Sequence, residues 1–438
     1  MLKQKNPKTS ANLKKIFILL DNVKSKGFFH LLSANFIIGF LGFGSQLLVA
    51  KLLTPVELGQ IKTMQSFMSL ATVFAGFGFN TAVLKICSEK RTLEERAFIF
   101  KQCLYYSIIP IILVLLSFLF LAKASLFSPD AAINQWLPVF MLGIPAATIT
   151  TLMMTYLQAL KKIQLMATTQ VIIRVFGFVV LIALTYFYGL VGFILSSILI
   201  GYVALLPLFR LLRDDLKSNA AVANVLPQSF YYAKWSVAAN AVSTIGAYMD
   251  IFMLNYLIKD REGFGYYSLA TIFILGLNYI TSTVQSISTP YFSEKMEDKK
   301  EFIRVLKKYT KLLVLLSFGV GILAFIIVPP FIAFFFGVNF KPAGVYFRIL
   351  LLKYFFASCC ALSGVAILGL GKMNYNFLNV LVVVPISLSL SYFFITFYGI
   401  IGAAVAQAVA YFVTLIIAWL MINHIIKIHF AALAITRQ

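Results

Sequence analysis

Five ionisable side chains stand where charge is costly. Arg174, Lys353, Lys62 and Arg348 are basic and Asp250 is acidic, and each falls within or near the end of a long apolar run. An ionised group at the centre of a membrane helix costs about 2.5–3.5 kcal/mol even on a mild insertion scale, so each should face a partner or a wet cavity. At a rise of ~1.5 Å per residue, Arg174 lies ~16 Å and Lys353 ~15 Å inside their runs, and Asp250 lies ~13 Å from the boundary near Lys259. Lys62 and Arg348 sit nearer the ends of their runs, as do Lys51 and Lys85, which are placed to snorkel to the interface. The chemistry open to such a basic set is recognition of an anion, with Arg offering a two-pronged fork and Lys a point charge. Asp250 has two readings. It either forms a structural ion pair with Arg174 or Lys353, or it is a counter-ion or protonation site beside two cations that meet an anionic substrate.

Uncharged polar residues recur around these charges at helical spacing. One run places Asn35, Gly39, Gly42 and Gln46 on one face, and a second does so with Gln65, Ser69, Thr72, Gly76 and Asn80. Thr148, Thr151, Thr155 and Gln158 form a third stripe, Asn240, Ser243, Ala247 and Asp250 a fourth, and Thr271, Asn278, Ser282 and Gln285 a fifth. Any one stripe is accounted for as a helix-packing face. Stripes at corresponding places in both halves of the chain are better explained by a shared water-filled cavity.

The elements that must carry these residues are membrane helices. The 438-residue chain is 61% hydrophobic and 12% charged, outside the range of soluble domains. Apolar runs of about 20 residues, each able to cross a hydrocarbon core of ~30 Å, recur along its length. The expected fold is an all-α polytopic membrane protein of twelve helices: 28–52, 61–85, 99–122, 136–160, 163–187, 190–210, 232–258, 264–290, 308–336, 343–371, 373–397 and 400–426. Helices 3, 6, 9 and 12 are uniformly apolar and read as outer supports. Residues 1–27 read as a basic amphipathic segment on the inner leaflet and not as a signal peptide, since their apolar stretch is short and no cleavage site follows. Residues 28–210 form the first lobe, 211–231 a cytoplasmic linker helix, 232–426 the second lobe and 427–438 a cytoplasmic tail.

The net charge of +22 follows the connections in alternation, which argues for topology and against a nucleic-acid partner. One set of connections, with both termini, holds 28 of the 37 Lys and Arg, so the positive-inside rule places both termini in the cytoplasm. The halves also repeat. Asn35 and Asn240 are 205 residues apart, as are Ser88-Glu89-Lys90 and Ser293-Glu294-Lys295. Phe187-Tyr188-Gly189-x-x-Gly192 returns 210 residues later as Phe397-Tyr398-Gly399-x-x-Gly402, and Lys162 and Lys372 keep that offset. Six helices per half bring both halves in from the same side, as a parallel repeat about a pseudo-two-fold axis along the membrane normal.

Covalent chemistry finds no motif. There is no phosphate-binding G-x-x-x-x-G-K-[ST] loop and no H-E-x-x-H, so ATP hydrolysis by this chain and zinc catalysis are not expected. Cys87, Cys103, Cys359 and Cys360 do not make a disulfide framework, and His30, His424 and His429 are scattered, so neither a metal site nor a cofactor is expected.

The segments Asn35-Phe-Ile-Ile-Gly39, Leu47-Leu-Val-Ala-Lys-Leu-Leu-Thr-Pro55-Val-Glu57-Leu-Gly59 and Gly76-Phe-Gly78 resemble the N-terminal signature of Wzx-type polysaccharide flippases. These belong to the multidrug/oligosaccharidyl-lipid/polysaccharide exporter superfamily. Asp250 followed by Glu262-Gly-Phe-Gly265-Tyr-Tyr-Ser268 looks like the matching segment of the second half. The resemblance covers essentially the whole chain. It implies flipping of an undecaprenyl-diphosphate-linked oligosaccharide, such as an O-antigen or capsule repeat unit, across a bacterial cytoplasmic membrane by alternating access. Arg174, Lys353, Lys62 and Arg348 would meet the anionic headgroup, and Asp250 would couple or balance charge. Asn35, Gln46, Gln65, Asn80, Gln158, Asn240, Asn278 and Gln285 would line the cavity. With the interior negative, moving one negative charge outward gains ~2.3 kcal/mol per 100 mV. Two other functions compete: a cation-coupled multidrug extruder of the same superfamily, disfavoured by the scarcity of cavity acids, and a membrane glycan polymerase or ligase, disfavoured by short outer loops. A scaffold role beside glycan polymerase or assembly proteins is compatible with the sequence.

Overall fold

The computed structural model describes residues 28–89, 91–217 and 226–436, all built from helices and short connections. The amphipathic segment expected over 1–27 lies outside the described residues. In chain order the helices are α1 (Phe28–Leu52), α2 (Pro55–Gly76), α3 (Phe79–Cys87), α4 (Leu93–Lys123), α5 (Ala131–Met141), α6 (Ile144–Ala159), α7 (Ile163–Leu211), α8 (Arg213–Lys217), α9 (Leu226–Leu257), α10 (Arg261–Glu294), α11 (Lys299–Phe335), α12 (Lys341–Gly369) and α13 (Met373–Thr436). Seven of them are long and apolar enough to cross a membrane, or up to nine spans when two bent pairs each count as one.

The bent pairs correct two helices expected to be continuous. The run 61–85 starts earlier, at Pro55, because Thr54 and Glu57 close a reciprocal capping box there. It then breaks between α2 and α3 with a 52° bend. Phe77 (φ 45°) and Gly78 (φ 73°) both take left-handed backbone, which no helix can continue. The run 136–160 bends by 46° between α5 and α6. Pro145, in the first turn of α6, has no N–H to continue the ladder of α5.

Two helices contain a reversal. In α7 the backbone of Gly189 is non-helical (φ 55°, ψ −132°), and in α13 Gly399 repeats it (φ 59°, ψ −137°). A β-carbon at Gly192 would lie 1.9 Å from the carbonyl oxygen of Leu184, and one at Gly402 would lie 1.9 Å from that of Phe394. Residues eight apart on one straight helix are ~12 Å apart along its axis. The chain therefore doubles back at each Phe-Tyr-Gly-x-x-Gly motif, and glycine lets the two arms touch.

Packing pairs the halves in parallel fashion. In the first half α1 packs on α7 and α2 and α3 pack on α6; in the second, α9 packs on α13 and α10 on α12. The connections that the sequence separates by charge gather in two groups. In one, Glu57 lies against Gly189, the Pro55 carbonyl against Gly265, and the Lys51 ammonium on the Phe335 carbonyl. In the other, the rings of Phe292, Phe302 and Phe430 form a chain of contacts, and His429 Nε2 reaches the Met296 carbonyl at 3.0 Å. That contact belongs to α13, which runs through 427–436, where a tail was expected. Of the linker expected over 211–231, the described residues hold α8 and the start of α9 at Leu226, and 218–225 lie outside the described residues.

Candidate functional site

Four cavities join in series inside the bundle. The first, about 680 Å³, is lined by Ser45 of α1, Thr150, Thr151, Thr155 and Gln158 of α6, and Gln170, Arg174 and Ser197 of α7. The second, about 330 Å³, shares Ser45, Arg174 and Ser197 with it and adds Gln46, Lys62, Gln65, Ser268 and Tyr279. A third of about 300 Å³ continues past Gln46 and Tyr279 to Asn278 and Ser282. The fourth, about 160 Å³, joins the first at Thr151 and sits at the break between α2 and α3, beside Asn80 and Asn240. The walls come from both halves of the chain.

This arrangement gathers most of the expected lining. Gln46, Gln65, Asn80, Gln158, Asn240 and Asn278 all face a cavity. Gln285 does not line any of these cavities: its amide donates to the Ala361 carbonyl (2.9 Å) and ties α10 to α12. Asn35 sits on α1, with its side chain outside the described part of the structure. The helix over 190–210, expected as an outer support, contributes Ser197, Ile200, Gly201 and Ala204 to the wall. A lone serine and two small residues in an apolar run gave too weak a stripe to mark that face.

The four cations separate. Arg174 and Lys62 line one cavity together, from α7 and α2. Lys353 does not line the cavities described; its ammonium lies 5.2 Å over the ring of Tyr411. Arg348 is exposed, with its guanidinium 5.1 Å over Phe325, also away from them. Both rest on aromatic faces, which attract cations.

Asp250 is 3% exposed and lies behind the wall. Its carboxylate accepts a hydrogen bond from the hydroxyl of Tyr267, which is itself fully buried. Neither Arg174 nor Lys353 forms an ion pair with it among the described residues, so the pairing considered from sequence is replaced by a tyrosine on the next helix. Asp250 and Lys353 remain close enough to act electrostatically on Lys62. Tyr267 was missed because it lies 17 residues from Asp250 and its register against α9 is a tertiary property.

One end of the cavity series is shut. A β-carbon at Gly59 would sit 3.1 Å from the Phe264 ring, and one at Gly265 would sit 1.8 Å from the Pro55 carbonyl, so α2 and α10 meet backbone to backbone. Beside them Asn255, fully buried, donates to the Phe127 carbonyl (2.9 Å) and accepts from Ser128 Oγ (2.7 Å). Gln60 donates to Asp130 (2.9 Å). Asn255, Ser128, Gln60 and Asp130 each find a partner in this seal, as burial demands.

A family model described as "Polysaccharide biosynthesis protein" matches residues 48–344. The chain belongs to this polysaccharide biosynthesis family. The family match includes Lys62, Arg174, Asp250 and Tyr267 and ends before Arg348 and Lys353. A Shigella flexneri protein assigned by name as an O-antigen transporter is 26% identical over 213 residues, 48% of this chain and 50% of that protein. The match thus spans about half the length of that relative. Among solved structures, the lipid II flippase MurJ in an inward closed conformation superposes with a TM-score of 0.74 at 16% identity, covering 93% of this chain and 91% of that one. A multidrug resistance MATE family transporter of the MOP superfamily superposes in its inward-facing conformation with a TM-score of 0.72 (14% identity, 91% and 98% covered). In an outward-facing conformation of such a transporter the value is 0.66 (15% identity, 91% and 95% covered). At these identities the likeness establishes the fold alone, that of a multi-pass helical membrane protein. The resemblance to Wzx-type flippases read from the sequence agrees with both family and fold.

Proposed function

We propose that this member of the family flips an undecaprenyl-diphosphate-linked oligosaccharide repeat unit from the inner to the outer leaflet of a bacterial cytoplasmic membrane, for surface polysaccharide such as O-antigen or capsule. The observation that carries the reading is the pairing of Arg174 and Lys62 on one cavity whose remaining lining mixes hydroxyls and amides (Ser45, Gln46, Gln65, Ser197, Ser268, Tyr279) with apolar side chains. Two cations suit a diphosphate, and neutral polar groups suit sugars. The polyprenyl tail stays in lipid. An extruder of organic cations would be expected to carry the opposite sign of charge here.

In this reading the chain has twelve spans in two six-helix lobes related by a parallel repeat, with both termini cytoplasmic. Counting each hairpin at Gly189 and Gly399 as two spans raises nine to eleven, and α1 would supply the twelfth. The sealed end, at Pro55, Asn255 and Gly265, is then the outer one, and the cavity faces inward. The higher superposition on inward states supports this assignment. Release requires the seal to part as one lobe rocks against the other. Asp250, held by Tyr267, acts from behind the wall as counter-ion to Lys62 and Lys353.

Reconstituted protein and a lipid-linked oligosaccharide test the proposal. Losing a charge-assisted contact costs about 1.5–3 kcal/mol, so Arg174→Ala and Lys62→Ala should each slow translocation by roughly ten- to a hundredfold. Lys353→Ala should have the smaller effect, since its ammonium sits on Tyr411. Wild-type rates from both Arg174→Ala and Lys62→Ala in correctly inserted protein would overturn the assignment.

A further inference from the structure

One face of α11 changes character along its length. The helix has 37 residues and is therefore ~55 Å long, against ~30 Å of hydrocarbon, so several of its turns lie beyond the acyl chains. At 3.6 residues per turn, Lys300, Arg304, Lys307, Lys308 and Lys311 fall within an arc of about 100°. All five are exposed. The same arc continues as Leu315, Phe318, Ile322 and Ile326, which are exposed as well. The opposite face, through Phe302, Leu313 and Ser317, is buried. A single outward face is thus basic for three turns and apolar for the next three.

The protein does not neutralise this charge itself. Glu301 is the only acid of α11, and it pairs with Arg304. Among the described residues no carboxylate forms an ion pair with Lys307, Lys308 or Lys311. Sidedness alone does not call for such density. The helix α4 follows Ser88-Glu89-Lys90 as α11 follows Ser293-Glu294-Lys295, yet its first 13 residues hold two acids and two bases. The first 13 residues of α11 hold six bases and one acid.

We propose that this face of α11 binds anionic phospholipid, with the phosphates on Arg304, Lys307, Lys308 and Lys311 and the acyl chains along Leu315, Phe318, Ile322 and Ile326. The order of the two chemistries along the helix is that of a lipid, headgroup first and chains after. Each base near an anionic leaflet strengthens the attraction by roughly fivefold, and the effect fades within a Debye length. Where the basic turns give way to apolar ones, the rings of Tyr309 and Tyr291 pack at 5.6 Å, and the Lys308 ammonium lies 5.7 Å over Tyr309. Tyrosines at that level suit a membrane–water boundary. With its charge on one helix of the second half and none in excess on α4, the protein holds that half to an anionic leaflet and leaves the first half freer to move.

The test uses full-length protein in nanodiscs of phosphatidylcholine, with or without phosphatidylglycerol, and reads thermal unfolding. The expected result is a Tm several degrees higher with phosphatidylglycerol, a difference that shrinks as salt rises from about 0.05 M to about 0.5 M. Changing Lys307, Lys308 and Lys311 together to Gln should remove most of the difference, and changing them to Arg should keep it. Lys161→Gln with Lys162→Gln and Lys372→Gln, three exposed bases in other connections, should keep it too. Equal Tm values in the two nanodiscs, or equal losses from the two glutamine triples, would overturn the inference. So would stabilisation by a polyglutamate peptide in phosphatidylcholine without any phosphatidylglycerol effect, which would assign the face to an acidic protein segment. Should the glutamine triple of α11 fail to fold, spin-labelled lipids read the wild type. Several-fold more immobilised phosphatidylglycerol than phosphatidylcholine is expected, and equal amounts would overturn the inference. Because no transport is measured, failure here leaves the flippase reading standing, and loss of that reading leaves the lipid site intact.

Discussion

Tyr267 and Asp250 illustrate how one hydroxyl fixes the role of a buried acid. Tyr267→Phe would strand the carboxylate without its donor, at a cost of about 1–3 kcal/mol or more for a charged group. Asp250→Asn keeps an acceptor for Tyr267 but removes the charge that balances Lys62, so it should lose stability by less than Tyr267→Phe. Thermal unfolding of the two variants in detergent tests this; equal losses would mean that the contact contributes little. Of the charges, Arg174 and Lys62 were legible as cavity groups because ionised side chains in apolar runs need water or a partner. The aromatic rests of Lys353 and Arg348 were not, since Tyr411 lies 58 residues from Lys353 and Phe325 lies on another helix. Asn255, the most buried polar group of the seal, drew no attention because a single asparagine near a helix end is ordinary.

At the level of elements, hydropathy placed the helices and a repeated six-residue motif marked the reversals. The motif could be read because glycine is needed twice within it, once for positive φ and once for contact between the arms. Gly192→Ala and Gly402→Ala should therefore cut the yield of folded protein several-fold in size-exclusion chromatography of the detergent-solubilised protein. Gly44→Ala and Gly319→Ala, where a β-carbon would meet nothing within 4 Å, should be neutral or gain up to ~1 kcal/mol. Similar yields from all four would contradict the hairpin packing. The breaks at Phe77–Gly78 and Gly143 were harder to read. A glycine inside an apolar run is compatible with a continuous helix, and a left-handed phenylalanine leaves no trace in composition. The early start of α4 at Leu93 was hidden for another reason: charged residues there look like a loop, but Thr92 and Glu95 form a capping box that begins the helix outside the apolar run.

For the whole molecule, the proposed sidedness rests on charge in the connections, which no side-chain detail is needed to read. Cysteines placed at Lys162 and Lys259, in a variant with the four native cysteines changed to alanine, should react with a membrane-impermeant maleimide from opposite sides. Reaction of both from the outside would reverse the topology. Closure of one end was not legible, because it depends on backbone contact at Gly59 and Gly265 and on a three-part hydrogen-bonded cluster. Ser128→Cys with Asn255→Cys, bridged by a short bifunctional thiol reagent, should stop translocation by at least tenfold, and reduction should restore it if the reagent is cleavable. Unchanged transport in bridged protein would mean that this seal does not open during the cycle.

The tight reversals at Gly189 and Gly399 bear on how the chain is made. A turn of that size offers the insertion machinery no free loop to thread. The two arms are therefore expected to enter the lipid together as one hairpin, since the contacts at Gly192 and Gly402 form only when both arms are in place.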